Sequence, residues 1–265
     1  MRNTLVLILI DGFGLSAVSA GNAFTAANAP NLHTFLHSCP STTLSISDDD
    51  GCTAEWGCRR IGAGRNGSLT PTPLRGTLGE CLSSLALPQT RVCAASARSA
   101  ALDWFNGGQM MPFALETDLL VSDVCAASPV DSALQTAEAV AQAALEALDA
   151  GAGVFLTVHL SACAVCAQTG SLPDTVAAVE TVDRCLGALR AKCAETGSPA
   201  LLCATGCGAE QVGTTSVKRN LLPFAVAGAD VSLRPGSLAD VAPTILAFLG
   251  LSCPPEMDGR SLLLP

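Results

Sequence analysis

The chain has 265 residues, 49% hydrophobic and 14% charged, with 14 Lys plus Arg against 23 Asp plus Glu for a net charge of -9. That length and composition suit a domain with a buried core and exclude a disordered chain. The acidic balance, with no basic run, excludes a nucleic-acid backbone or an anionic membrane surface as partner, and no apolar stretch is long enough to span a bilayer.

Residues 5–10 are an unbroken apolar run behind Arg2. The run is too short for a secretion signal and stops at Asp11 without a small-residue cleavage site. Its length suits a parallel strand buried on both faces, so it reads as the first strand of a cytoplasmic protein, with the 13 cysteines mostly reduced thiols. Residues 64–90, rich in Gly, Pro, Ser and Thr, read as loop plus one short helix. Further strands are expected at 90–95, 154–160, 200–204 and 223–227.

Between them, residues 131–150 place Leu134, Ala137, Ala141, Leu145 and Leu148 on one helical face, with Asp131 as cap and Gly151 as stop. A second helix is expected over 173–196, with Pro173 in its first turn, Val179, Val182, Leu186 and Leu189 at helical spacing, and Gly197 after its end. A third covers 239–249 and closes at Gly250. There is no internal repeat. The alternation predicts a single α/β domain over 1–265, a mostly parallel sheet with helices on both faces. Ligands of such sheets sit beyond the carboxyl ends of the strands, so Asp11, the segment 160–166 and the segment 205–208 should converge.

Those segments carry a resemblance. Leu9-Ile10-Asp11-Gly12-Phe13-Gly14, Gly21-Asn22-Ala23-Phe24, Ala29-Pro30-Asn31-Leu32, Ile61-Gly62-Ala63-Gly64-Arg65, Phe105-Asn106-Gly107-Gly108, and the stretch from Ser237 to Thr244 followed by Pro255-Glu256-Met257-Asp258-Gly259 resemble, in order, cofactor-independent phosphoglycerate mutase of the alkaline phosphatase superfamily. The resemblance implies an alkaline-phosphatase-like fold, a domain for two divalent metals, and an inserted substrate-holding domain after the Gly-Ala-Gly-Arg segment. Here 64–90 is too short for that insert, so mutase activity as such is not expected.

The family's metal centre also looks depleted. Its Gly-Asn-Ser-Glu-Val-Gly-His segment matches Cys52 to Cys58, which puts Ala54 at the nucleophile and Cys58 at a ligand histidine, with Thr53 as fallback nucleophile one residue away. Its Asp-x-x-x-His pair falls on Ala162 and Cys166, its Asp-His-Gly near Gly206, Cys207 and Gly208, and its last ligand histidine on Val217. The phosphate-contacting lysine falls on Ala97 or Arg98. Asp11 alone matches intact, and Glu55 also holds a family site position. The surviving metal-ligand candidates are Asp11, Cys58 and Cys166, with Cys207 and Cys163 beside them.

The cysteine-rich loops, with Cys52 and Cys203 added, read either as a thiolate metal or redox site or as small buried hydrophobes filling vacated space. Cys163 and Cys166 have the two-residue spacing of a thiol pair. His159, just before the cysteine pair, could be a ligand but reads more simply as hydrogen-bonded structure; His33 and His37 read as a surface pair one helical turn apart, Asp48 to Asp50 as a solvated loop, and Asp183 and Asp240 as local caps or pairs.

These readings favour a pseudoenzyme with a structural, regulatory or binding role. The alternatives are an active metal-dependent phosphohydrolase or mutase with a rearranged site, and a thiolate metal-binding or redox protein. Whether the cofactor is zinc, manganese or none stays open, and enzyme status with it. A mean hydropathy of +0.43 suggests a second copy or a protein as partner.

Overall fold

A computed structural model describes residues 3–46, 51–214 and 218–265. Among these, the strands are β1 (Leu5–Ile10), β2 (Ser41–Ser45), β3 (Gln89–Ala94), β4 (Glu116–Val121), β5 (Phe155–Leu160), β6 (Ala200–Ala204), β7 (Leu222–Ala227) and β8 (Gly236–Ser237). They form one eight-stranded sheet in the order β4-β3-β5-β1-β6-β7-β2-β8. From β4 through β6 every neighbouring pair is parallel; β7 then runs antiparallel to both β6 and β2. This is the mostly parallel α/β sheet expected.

The helices are α1 (Ala23–Ala26), α2 (Pro30–His37), α3 (Ala54–Ala63), α4 (Leu78–Ser84), α5 (Pro129–Ala150), α6 (Ala162–Ala167), α7 (Leu172–Thr196) and α8 (Val241–Phe248). One group packs α5, α6, α1 and α2 on α7; another packs α3 with α4 and α8. None of the described helices is long and apolar enough to cross a membrane.

β1 lies between β5 and β6, and all six of its residues are buried. A strand covered on both faces has no polar side to alternate with, which is why its sequence is continuously apolar. The five expected strands are present, each within one residue of its expected ends. β2, β4 and β8 were not expected.

Two helix starts differ from the sequence reading. Asp131 is not the cap of α5; Ser128 is, its side chain accepting from the Asp131 N–H while Pro129 opens the helix. A serine before proline supplies the capping oxygen and the preset φ together. At the other end, the expected helix over 239–249 begins as a 3-10 turn, Leu238–Asp240, closed by a reciprocal Ser237–Asp240 capping box, before α8 proper. α5 and α7 end on left-handed Gly151 and Gly197, as their sequences predict.

α3 is held against its neighbours by two glycines. A Cβ on Gly57 would stand 1.8 Å from the Thr205 carbonyl oxygen, and one on Gly62 would stand 1.8 Å from that of Phe105. Both obstacles are backbone, which cannot rotate away. Gly57→Ala should therefore lower stability by at least about 1–3 kcal/mol, the usual cost of overpacking. Chemical denaturation of the variant checks this, and a stability within about 0.5 kcal/mol of the parent contradicts the close approach.

Candidate functional site

Asp11 lies just beyond β1, with its backbone N–H donating to the Leu160 carbonyl of β5 at 3.0 Å. Gly12 turns the chain with φ +76, and a Cβ there would stand 2.9 Å from the Ala164 backbone of α6. Asp11 is only 4% exposed, so its carboxylate needs partners within the protein. Thr205, immediately after β6, donates its hydroxyl to Asp11 Oδ1 in a very short contact. Across the sheet, His159 of β5 brings Nε2 to 3.0 Å from Asp11 Oδ2. That contact is close but not well aligned: neither ring nitrogen of His159 has a hydrogen-bond partner.

A cavity of about 720 Å³ opens over this cluster. Its walls come from the ends of β1, β5 and β6 and from the start of α3, so the three expected segments do converge. Thr53 stands at the N-cap of α3 and Ala54 is its first residue, and the Thr53 hydroxyl makes no capping hydrogen bond. Thr53, Ala54 and Glu55 all line the cavity with Asp11 and His159. The remaining polar lining is neutral, chiefly Ser96, Ser161, Gln168 and Gln211. Among the described residues no Lys or Arg lines it: Ala97 is in the wall, whereas Arg98 donates to the Met110 carbonyl at 3.0 Å and lies 3.6 Å from Asp103.

The cysteines divide. Cys52 and Cys207 line the cavity. Cys58, Cys163, Cys166 and Cys203 are buried in the core. Cys163 and Cys166 lie on α6, in a segment expected to be loop, and Ala162 opens that helix. Burial pushes the Cys58 thiol up, with Asp11 and Cys203 adding repulsion. Burial likewise raises Cys163 and Cys203, and takes Cys166 up to about 11. Cys207 is raised by burial and then by Glu210. Thiols held this way stay protonated at neutral pH when no metal is bound.

Among the described residues there is no group of three or more His, Cys, Asp or Glu side chains placed to hold a metal ion. Asp11, the best-matched ligand, already has Thr205 on one oxygen and His159 against the other. The described donors do not fit a pair of divalent cations. Val217 and Asp48 to Asp50 lie outside the described residues.

His159 departs from its expected role as ordinary hydrogen-bonded structure: it is 1% exposed, in the cavity wall, with Nδ1 unpartnered. Its sequence context, one histidine at a strand end, carries no sign of that position. Glu210 was not anticipated. It is buried, and it accepts from the Gly14 N–H at 3.1 Å, the Gly208 N–H at 2.7 Å, Gln211 Nε2 at 2.9 Å and Asn220 Nδ2 at 2.8 Å. It thereby ties the loop after β1 to the loop after β6.

His33 and His37 are exposed on α2 with ring centroids 4.4 Å apart, as a surface pair should be. Asp240 caps its own turn and also accepts from the Arg260 N–H at 2.7 Å. Asp183 does not pair locally: from α7 it accepts from the Leu32 N–H at 2.7 Å and Asn31 Nδ2 at 2.9 Å, holding the start of α2.

A family model described as the Metalloenzyme superfamily matches residues 3–253. The chain is 34% identical over 215 residues to the 2,3-bisphosphoglycerate-independent phosphoglycerate mutase of Synechococcus elongatus, covering 75% of this chain and 40% of that protein. Among solved structures, Leishmania mexicana phosphoglycerate mutase aligns with TM-score 0.67 and 20% identity over 72% of this chain and 40% of its own. Alkaline phosphatase from the Antarctic bacterium TAB5 aligns with TM-score 0.67 and 12% identity over 95% of this chain and 100% of its own. The chain thus spans 40% of the length of the phosphoglycerate mutases it matches.

The raised thiols give a pH test. Burial pushes Cys166, Cys185 and Cys193 up to about 11 from an ordinary value of 9.0. An unfolded chain releases these protons first, so their contribution to stability is complete below pH 9 and is lost as the pH rises through about 11. Tyrosine, of which the chain has 0, adds nothing in that range. The urea midpoint should fall between about pH 8 and about pH 10.5, and less steeply in Cys185→Ala. Equal midpoints at the two pH values contradict the assignment.

Proposed function

This chain belongs to the Metalloenzyme superfamily, of the alkaline phosphatase kind, and from that premise we propose that it has given up phosphoryl transfer and keeps its cavity for a binding or regulatory role. The observation that carries the reading is Ala54 at the head of α3, beside an Asp11 whose two oxygens face Thr205 and His159. A methyl group cannot accept a phosphoryl group, and Thr205 already donates to one oxygen of that aspartate. The lining adds to this: two carboxylates and no described cation do not neutralise a phosphate dianion.

The short 64–90 segment, whose regular structure is α4 and the first two residues of β3, supports the absence of a substrate-holding insert. Met110 and Met111, 71% and 69% exposed, offer apolar surface for the protein partner a regulatory role requires.

One observation favours a second reading. Thr53 lines the same cavity as Asp11 with its hydroxyl not committed to capping, so a rearranged phosphohydrolase would use it as nucleophile. The two readings separate in one assay. Reduced protein is supplied with Mn²⁺, Zn²⁺ or Co²⁺ and tested for hydrolysis of p-nitrophenyl phosphate and for interconversion of phosphoglycerates. We expect the rate of the protein-free metal control, and no recovery in Ala54→Ser, because the cation ligands stay missing. Turnover that disappears in Thr53→Ala overturns the proposal.

A further inference from the structure

The thiol pair adjacent in sequence is not the pair the fold offers to an oxidant. Cys163 and Cys166 are both buried in the core, three residues apart on α6. That spacing separates Cβ atoms by about 5–6 Å, whereas a disulfide takes about 3.5–4.5 Å.

Cys52 and Cys207 are far apart in sequence and meet at the cavity. The Cys207 N–H donates to the Cys52 carbonyl at 3.2 Å. A direct backbone hydrogen bond holds two residues near the Cα separation of a disulfide, about 4.4–6.8 Å. The loops approach closely: a Cβ on Gly206 would stand 2.3 Å from the Cys52 carbonyl oxygen. Both cysteines are half-buried, both line the 720 Å³ cavity, and neither is in a disulfide. Cys207 Sγ now rests 3.7 Å from the Asn220 carbonyl, a weak contact that a χ1 rotation gives up.

We propose that Cys52 and Cys207 form a reversible oxidative modification site whose co-reactant is a peroxide. The Cys52 thiol takes an oxygen from hydrogen peroxide to become a sulfenic acid, releasing water. The other thiol then attacks that sulfur, the S–O bond breaks, and a second water leaves. Two thiols are oxidised to one disulfide, and one peroxide is reduced to two waters. The new bond joins the segment entering α3 to the loop after β6, fastening two walls of the cavity. This inference does not depend on whether phosphoryl transfer has been lost.

The test uses the full, reduced chain. It is exposed to hydrogen peroxide at concentrations that leave its circular dichroism unchanged, its remaining thiols are alkylated, and its peptides are analysed by mass spectrometry. The expected product is a peptide pair joined through Cys52 and Cys207, lighter by two hydrogens, separated again by dithiothreitol, and missing from both Cys52→Ser and Cys207→Ser. Oxidised protein in which both residues remain alkylatable overturns the proposal. So does a dominant link between Cys163 and Cys166, or a cross-link that persists at Cys52 when Cys207 is serine.

Discussion

A carboxylate buried at the carboxyl end of a central strand must be met by partners, because an unpaired one there costs several kcal/mol. Asp11 is that group, and the site is organised around how it is met. Thr205 reaches it from β6 and His159 from β5, so the strands on either side of β1 each contribute one contact. In a two-metal centre cations would do this work. Among the described residues, Thr205 and His159 stand against the two oxygens of Asp11.

The surroundings pack closely around this carboxylate. Gly57 lets α3 approach the Thr205 backbone, and Cys58, the next residue, is buried where Asp11 and Cys203 discourage its ionisation. Buried neutral thiols behave as small hydrophobes, which accounts for most of the cysteines that line no cavity. Glu210 completes the arrangement by bracing the two loops that flank Asp11, with four hydrogen bonds to its carboxylate. The result is a formed cavity whose polar lining is mainly neutral, with an unpartnered imidazole nitrogen in its wall.

Much of this scaffold was legible in the sequence because burial on both faces writes itself as an unbroken apolar run, as in β1 and β6. β4 was not, because Glu116 and Asp118 make it look polar; both are neutralised by Arg91 of β3, at 3.1 and 2.7 Å. β2 was missed because Ser41, Thr42 and Thr43 resemble loop, although Leu44 is fully buried. Within the site, Asp11, Thr53, Ala54 and Glu55 were found because they follow a motif in register. His159 and the segment from Thr205 were placed near the site, but their contacts with Asp11 were not foreseen, and Glu210 was not singled out, since a lone glutamate announces nothing until the fold sets it between the loops. The cysteines misdirected in the opposite way: two-residue spacing drew attention to Cys163 and Cys166, while the pair at the cavity, Cys52 and Cys207, is invisible to spacing.

The most direct measurement is anomalous diffraction from crystals of the reduced protein grown with manganese in excess. The account predicts Thr205 Oγ1 on one oxygen of Asp11, His159 Nε2 beside the other, and no anomalous peak within coordinating distance of either. Two peaks about 3.5–4 Å apart, with Asp11 as a ligand and His159 or Thr205 displaced, would contradict it.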